Sequence, residues 1–281
     1  MIATSPRTAP ADHRTWPERL SGPHPLVMGV LNITPDSFSD GGRFLAPESA
    51  MAQARRMVTE GADIIDIGAE STRPYGSKPI TADEEIQRLR PILADVVALG
   101  IPVSIDSMKP VVVAWALDNR ATIANDVWGL QRDGDMAKLI AERRCPVVIM
   151  HNRDSADPAI DILADVAEFF SRSLEIAATA GISREYIALD PGIGFGKTPE
   201  QSMMVLARLK QFSSFGLPLL VGASRKRFIA AVTPSEPDQR LGGSIAAHLI
   251  AAEAGARIIR THDVSETVQA LRVASAIWDK Q

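Results

Sequence analysis

The sequence predicts an α/β fold, a (β/α)8 TIM barrel that forms a single domain with an irregular N-terminal extension. Three observations predict it. Eight short runs of apolar, often β-branched residues alternate with segments of helical periodicity. Almost every run ends at polar residues that could hold a charged ligand, and in such barrels these residues gather at the carboxyl ends of the strands. The length of 281 residues suits one barrel of about 250 residues.

The eight apolar runs are the predicted strands, in chain order Leu26–Leu31, Ala62–Ile67, Pro102–Ile105, Thr122–Ala124, Pro146–Met150, Tyr186–Leu189, Leu217–Val221 and Ala256–Ile259. Between them, apolar residues recur at helical spacing in the series Met51, Ala54, Met57, Val58, the series Ile86, Leu89, Leu93, Val96, Val97, and the series Leu163, Val166, Ala167, Phe170, Leu174. Alternation of strand and helix favours a parallel sheet, and eight units favour its closure. A doubly wound open sheet is the alternative, but it would not usually place chemistry after nearly every strand.

Composition limits the classes of partner. Residues 1–25 are predicted to be a loosely ordered extension, with five prolines and no apolar core of a secretory signal, and residues 26–281 to be the barrel. No apolar stretch reaches the roughly 18 residues of a membrane span. The net charge of −4 argues against a nucleic-acid partner. The single cysteine, Cys145, excludes an internal disulfide, suits a cytoplasmic location and is expected to be buried.

Two loops are long and punctuated by glycine or proline. Thr34–Pro47 follows the first predicted strand, and Ala69–Ile80 follows the second. Loops of this kind above a rigid scaffold often act as lids, so we expect both to cover a site at the barrel mouth.

Basic side chains end the last two predicted strands. Arg260 and His262 stand two residues apart and therefore point to the same side of a strand, where a guanidinium and an imidazole can clamp a phosphate or diphosphate. The alternative is an ion pair between Arg260 and Asp263 as the last helix begins. Ser224-Arg225-Lys226 closes the seventh strand, close to where many barrels bind phosphate. A surface charge run is the alternative there, but an apolar strand leads directly into the motif.

Carboxyl and amide groups end the third, fourth and sixth predicted strands. Asp106, Asn125 and Asp190 could accept and donate hydrogen bonds at the edge of a flat heterocycle, or could act as acid and base or bind a metal. The absence of H-x-x-x-H and C-x-x-C spacings disfavours zinc. Capping of the next helix is the alternative role for such residues, and Asp126 and Asp263 fit it better.

The glycine-rich segment 190–198 ends in Gly-Lys-Thr but lacks the spacing of a phosphate-binding loop, because Pro191 stands where that motif needs glycine. Asn32, at the end of the first strand, could complete the coordination of Mg²⁺ held mostly by substrate phosphates and water. Phe38 and Phe195 are candidate apolar walls for an aromatic substrate, although core packing is the commoner use of phenylalanine. His151 could contact a ligand or be a hydrogen-bonded structural histidine.

Taken together, these segments resemble the dihydropteroate synthase family. The matching stretches follow in order along residues 26–279, about one per barrel unit: Met28–Gly42, Glu70–Pro74, Ser104–Ser107, Asn125-Asp126, Met150-His151, Asp190–Lys197, Ser224–Lys226 and Arg260–Asp263. The resemblance implies a transferase of folate biosynthesis that condenses 6-hydroxymethyl-7,8-dihydropterin diphosphate with 4-aminobenzoate, releasing diphosphate. It also implies a homodimer, and the weakly polar segment Gly243–Ala256 is a candidate interface.

The resemblance assigns a role to each motif residue. The pterin ring would be held by Asp106, Asn125, Asp190 and Lys226. The diphosphate would be held by Asn32, Arg73, Arg260 and His262, with Mg²⁺ on Asn32, and Thr72 would contribute to binding of the pterin diphosphate substrate. The 4-aminobenzoate site, where sulfonamides compete in this family, would be formed by Phe38, Thr72, Pro74, Phe195 and Ser224. Catalysis would depend on Asp106, Lys226, Arg260 and His262. Ala69 and Tyr75 depart from the family pattern and affect only the expectations about the second loop.

Two rival interpretations of these motifs are open. A pterin-binding methyltransferase barrel would share the pterin-holding Asp and Asn residues, but it would not need the Ser-Arg-Lys and Arg-Thr-His motifs. A non-catalytic relative that binds pterin without turnover would be expected to lack part of these motifs or loops. Every element is present here, which favours the synthase interpretation.

Overall fold

The computed structural model describes residues 24–33, 42–70 and 79–280, together with residues 16, 20 and 22. Eight parallel strands lie in these ranges: β1 Leu26–Asn32, β2 Ile64–Gly68, β3 Val103–Asp106, β4 Ile123–Asp126, β5 Val147–Met150, β6 Ile187–Asp190, β7 Leu220–Val221 and β8 Ile258–Thr261. Each predicted run overlaps one of them, and the ends differ by at most three residues. The strands extend to the polar residues that follow the runs, because backbone pairing does not stop where apolar character stops.

The strands close into a barrel. Their order is β6-β5-β4-β3-β2-β1-β8-β7, with all pairs parallel. The remaining gap between β6 and β7 is bridged, since Leu189 pairs with Leu219 and its N–H donates to the Pro218 carbonyl at 2.9 Å. The run predicted from Leu217 is paired as a strand only at Leu220–Val221. The (β/α)8 prediction is confirmed, and the open-sheet alternative is excluded.

Helices surround this barrel: α1 Gly42–Glu60, α2 Ala82–Leu89, α3 Leu93–Val97, α4 Pro110–Asp118, α5 Gly134–Arg143, α6 Ile162–Ala180, α7 Pro199–Ala207, α8 Arg227–Val232, α9 Leu241–Glu253 and α10 Val264–Trp278. Local chemistry sets their ends. Thr198 and Gln201 form a capping box at α7, and Gly181 ends α6 with a φ of 85°. The helical series that begins at Ile86 is divided between α2 and α3. The predicted loop Thr34–Pro47 is shorter than expected, because its last six residues lie in α1.

Two apolar layers stabilise the barrel. Outward-facing strand residues such as Ile65, Ile105 and Leu189 pack against the helices. Inward-facing residues fill the base of the barrel, and Trp16 and Leu20 of the N-terminal extension join them. Arg257 holds this segment in place, since its Nε and Nη2 donate to the Leu20 carbonyl at 3.0 and 2.8 Å. Trp16 and Leu20 therefore pack into the core, whereas the sequence predicted only a loosely ordered segment there.

Among the described residues, no helix combines the length and apolar character needed to cross a bilayer. The prediction that Cys145 is buried is confirmed, and burial raises the pKa of its thiol to about 12.

Candidate active site

The polar residues of the site share the inward face of the barrel with its apolar floor. Ile64, Ile123, Ala188 and Ile258 belong to the inner apolar layer. Because side chains two apart in a strand point to the same side, the residues two positions later also point inward, and these are Asp66, Asn125, Asp190 and Arg260. The interior is therefore apolar at the base and polar at the carboxyl ends of the strands, where barrels of this type carry their chemistry.

Arg260 lies at the centre of a buried network. Its Nε donates to Asp66 Oδ2 at 2.7 Å, and its Nη2 donates to Asp106 Oδ2 at 2.8 Å. Asn125 Nδ2 also donates to Asp66 Oδ2, at 3.2 Å. The guanidinium thus joins β8 to β2 and β3 across the barrel. Asp66 was named in no sequence-predicted role, although its position two residues after Ile64 was the signal that could have identified it.

Burial dominates the electrostatics of the carboxyl groups. It raises the pKa of Asp106 to about 7, against the opposing effect of Arg260 and with a further upward contribution from Asp66. It raises the pKa of Asp190 to about 6, against a hydrogen bond from Gly192 and the charges of Lys226 and Arg260. Burial lowers the pKa of Arg260, but the attraction of the two carboxylates outweighs it and the net shift is upward. Acidic groups from β3 and β6 and basic groups from the last two barrel units therefore act on one another in one site.

Lys226 and Phe195 form one wall of this site. Lys226 Nζ lies 3.9 Å from the centroid of the Phe195 ring, a cation–π contact. Asp190 Oδ1 accepts the Gly192 N–H at 2.7 Å, which fixes its carboxyl group at the start of the glycine-rich turn. The close approach of the backbone at Gly194, where an added Cβ would lie 3.2 Å from Lys226 Cδ, explains why this turn needs glycine.

The expected clamp at the ends of β7 and β8 differs in its pairings. Ser224 Oγ accepts from the His262 backbone N–H at 3.2 Å and lies 3.0 Å from His262 Nδ1. Burial, and then the neighbouring cations, lowers the pKa of His262 to about 3, so the imidazole is neutral at physiological pH. The alternative ion pair between Arg260 and Asp263 does not form. Asp263 is bound instead by Arg225, whose Nε donates to it at 3.1 Å.

Two aspartates expected to cap helices do not cap them. Asp263 stands at the N-cap position of α10 but makes no side-chain capping bond. Asp126 accepts the N–H groups of Trp128 and Leu130, at 2.9 and 2.7 Å, and so closes the turn after β4. Asp133 caps α5 instead. Which aspartate caps the helix depends on where the helix begins, and α5 begins at Gly134, eight residues after the end of β4 at Asp126.

Several predicted site residues lie outside the described residues: Phe38, Thr72, Arg73 and Pro74. The base of the second loop is described. Glu70 accepts the Ile80 N–H at 3.1 Å, so one carboxylate joins the two ends of the loop. Lys109 holds that carboxylate at 2.5 Å and the buried Glu85 at 2.7 Å. This cluster, which the sequence did not reveal, ties the loop to the barrel.

His151 is a structural histidine with respect to the described residues, the second of its two expected roles. It is fully buried, and its two ring nitrogens lie 2.8 Å from Asp165 Oδ2 and 2.6 Å from Lys197 Nζ. Lys197 is a second residue for which the sequence predicted no separate role.

Comparison with known proteins places this site in a family. Over residues 28–262 the chain matches the family described as pterin binding enzyme. The dihydropteroate synthase of Bacillus subtilis (strain 168) is 41% identical over 256 residues, which span 91% of this chain and 89% of that protein. The chain belongs to the dihydropteroate synthase family.

Solved dihydropteroate synthase structures share the whole barrel. The enzyme of Xanthomonas albilineans with 4-aminobenzoic acid is 42% identical, with a TM-score of 0.88, and the match covers 92% of this chain and 94% of that one. The same organism's enzyme in complex with 7,8-dihydropteroate is 40% identical, with a TM-score of 0.84, and the match covers 92% and 95%. The resemblance found in the sequence is confirmed at the level of the family and of the fold.

Proposed function

We propose that the chain catalyses the dihydropteroate synthase reaction at this site, joining 6-hydroxymethyl-7,8-dihydropterin diphosphate to 4-aminobenzoate. One observation carries the proposal: Asp66 Oδ1, Asp106 Oδ1 and Asn125 Oδ1 are buried and have no hydrogen-bond partner among the described residues. Buried acceptors are costly unless they are paired, so three of them in one hydrogen-bonded network fit a ligand edge rich in N–H donors. A pterin ring presents such an edge, and related enzymes were solved with product or 4-aminobenzoic acid bound.

The pterin ring would lie among Asp106, Asn125, Asp190 and Lys226. Each carboxyl or amide group comes from a different strand end, so the ring would be held on several sides of the cavity. Asp190 is well placed for this role because its Oδ1 is already fixed by Gly192, which leaves Oδ2 for the ligand. Asp66 Oδ1 would accept from the ring, while Asp66 Oδ2 would orient Asn125 and Arg260, since it accepts a hydrogen bond from each.

The reaction breaks the C–O bond between the pterin methylene and the diphosphate, and forms a C–N bond to the amine of 4-aminobenzoate, which loses a proton. Positive charge develops on the pterin, where the carboxylate of Asp106 would stabilise it. Negative charge develops on the diphosphate, where Lys226, Arg260, His262 and, from the second loop, Thr72 and Arg73 would bind it. Neutral His262 would act as a hydrogen-bond donor there.

Mg²⁺ fits this scheme as a substrate-bound ion. Among the described residues there is no cluster of three or more His, Cys, Asp or Glu side chains that could hold a metal on its own. Asn32, partly exposed at the carboxyl end of β1, offers one amide oxygen, and diphosphate oxygens and water would supply the other ligands. When bound, the ion supplies positive charge that favours departure of the diphosphate.

The 4-aminobenzoate would bind at the outer side of the pterin, where Phe195 and Ser224 lie. The Phe195 ring is held by Lys226, and the Ser224 hydroxyl is held by His262. Phe38, Thr72 and Pro74 would complete this subsite from the two loops. A carboxylate on the aromatic ring suits the basic side chains and the hydroxyl nearby.

A cytoplasmic homodimer would be the assembly. Large apolar side chains are exposed on adjoining helices: Met204 of α7, Val232 of α8, Ile250 of α9, and Val273 and Ile277 of α10. The face includes part of the predicted segment Gly243–Ala256, and an apolar surface shared by several helices is typical of a symmetric interface. Ile250→Asp is expected to shift the mass measured by light scattering from dimer to monomer.

Product formation tests the proposal. The chain is incubated with the pterin diphosphate, 4-aminobenzoate and Mg²⁺, and dihydropteroate is detected by mass spectrometry. Formation of dihydropteroate together with one equivalent of diphosphate is expected. Tight pterin binding without product would instead identify a non-catalytic relative, and the absence of both would refute the assignment of this site.

A further inference from the structure

The turn after β6 carries two of the proposed substrate contacts. Asp190 begins it and Phe195 lies near its end. Gly192, Gly194 and Gly196 all have positive φ, of 66°, 79° and 53°, and a Cβ at Gly192 would lie 1.9 Å from the His151 carbonyl oxygen. The turn is therefore a closely packed backbone that requires glycine, and its shape sets the positions of both contacts.

Lys197 binds this turn from within the protein. Its buried Nζ donates to the Gly192 carbonyl at 2.9 Å and the Phe195 carbonyl at 3.2 Å, and it lies 2.6 Å from His151 Nδ1. Burial lowers the pKa of Lys197 to about 7, and in its protonated form the ammonium group has three donors, which these three partners use in full. One side chain thus joins both ends of the turn and attaches them to the end of β5.

His151 and Asp165 extend the contact to α6. His151 Nε2 lies 2.8 Å from Asp165 Oδ2, and Asp165 Oδ1 accepts from Arg153 Nη1 at 2.6 Å. Burial lowers the pKa of His151 to about 3, with the Lys197 charge as the next cause. The imidazole is therefore neutral, and its Nδ1 accepts from Lys197 while its Nε2–H donates to Asp165.

We propose that Lys197 is a positioning residue for both substrates, because it fixes the turn that presents Asp190 to the pterin and Phe195 to the 4-aminobenzoate. The inference rests on the proposed roles of those two residues. A purely structural Lys197 would affect the thermal midpoint and leave substrate affinity unchanged. A positioning residue changes the affinity for both substrates in protein that is fully folded.

Lys197→Met tests this, since methionine has similar length and no donors. Lys210→Met, at an exposed lysine in the segment after α7, is the matched control. The KM for each substrate, kcat, and the Kd of the pterin diphosphate measured by calorimetry are compared. For Lys197→Met we expect both KM values and the Kd to rise about tenfold or more, which corresponds to the net contribution of roughly one hydrogen bond. We expect Lys197→Arg to recover part of the loss and Lys210→Met to match the wild type.

Wild-type KM values and Kd in Lys197→Met would overturn the inference, whatever its thermal midpoint. If Lys197→Met does not fold, Asp165→Asn tests the same chain of contacts from the partly exposed end. It is expected to raise the same KM values by a smaller factor, and unchanged values would then count against the proposal. The wild-type assay separates the two hypotheses, because an inactive wild-type protein contradicts the proposed function, whereas an active one with an unaffected Lys197→Met contradicts this inference alone.

Discussion

Replacement of Arg260 by alanine is the most informative perturbation of this site. Arg260 is bound to Asp66 and Asp106, and its side chain is 17% exposed, against 0% and 8% for the two carboxylates. Arg260→Ala leaves two acidic groups in a cavity without the cation that compensates them. The variant should therefore lose stability as well as the diphosphate contact.

The magnitude follows from the burial. Removing one partner of a buried ion pair typically costs about 3–5 kcal/mol, because the other partner remains buried and unpaired. For a chain of this size that corresponds to a fall of roughly 6–20 °C in Tm. Arg143→Ala is the control, because Arg143 binds Asp118 in an exposed pair at 2.5 Å, and such pairs contribute about 0–1 kcal/mol.

The pH dependence identifies the cause. Burial already raises the pKa of Asp106 to about 7, and Arg260 opposes that rise. A carboxyl group with a raised folded-state pKa contributes stability that is present below its unfolded pKa and is lost as pH rises through the folded value. Without Arg260 the folded-state pKa of Asp106 rises further, so the variant continues to lose stability up to a higher pH than the wild type does. The gap in Tm between wild type and Arg260→Ala should be wide at pH 8 and narrower at pH 5.

Two assays decide the outcome. Calorimetry at pH 5 and pH 8 measures the Tm gap, and release of diphosphate measures kcat/KM, which should fall by about 10²–10³. The reasoning is refuted if the gap is the same at both pH values, or if Arg260→Ala is as stable as Arg143→Ala. Unchanged kcat/KM would refute the proposed role in holding the leaving group.

Three further predictions concern neighbouring groups. The pKa values of Asp106 and Asp190 are raised to about 7 and about 6, so kcat/KM for the pterin diphosphate should rise with pH through this range and level off above it. Initial rates that are already maximal at pH 5 would contradict the need for ionised carboxyl groups. Asp190→Asn keeps an acceptor for the Gly192 N–H, so its Tm should stay within a few degrees of the wild-type value while its Kd for the pterin rises about tenfold. Loss of stability with unchanged affinity would favour a structural role for Asp190. Burial raises the pKa of Cys145 to about 12, so iodoacetamide should leave native protein unlabelled and fully active, and rapid labelling seen by mass spectrometry without denaturant would show that the thiol is accessible.

The helices and strands could be predicted because their signals are local. Apolar runs and helical spacing marked the strands and most helices, but exact ends depended on backbone pairing. The predicted run Leu217–Val221 forms a strand only at Leu220–Val221, since Pro218 has no N–H and Leu219 is joined to β6 by an isolated bridge to Leu189. The division between α2 and α3 was likewise not visible in the spacing of apolar residues.

The site was predictable in position and less so in its pairings. The polar residues at the strand ends do meet at the barrel mouth, because parallel strands bring their carboxyl ends to one side. The partner of each group depends on distances across the barrel. Arg260 binds Asp66 and Asp106, which are 194 and 154 residues away in sequence, whereas the nearby Asp263 is bound by Arg225.

The sequence by itself determined that this chain is an eight-unit barrel with acidic, amide and basic groups at one end. The spacing of apolar residues along a helix and the alternation of side chains along a strand are properties of neighbouring residues, so they can be predicted from the sequence alone. Only the tertiary structure decided which charges neutralise one another, which buried acceptors have no partner among the described residues, and that Lys197 and His151 support the turn after β6. Those outcomes depend on closure of the barrel, which brings together groups whose sequence separation carries no information about their distance.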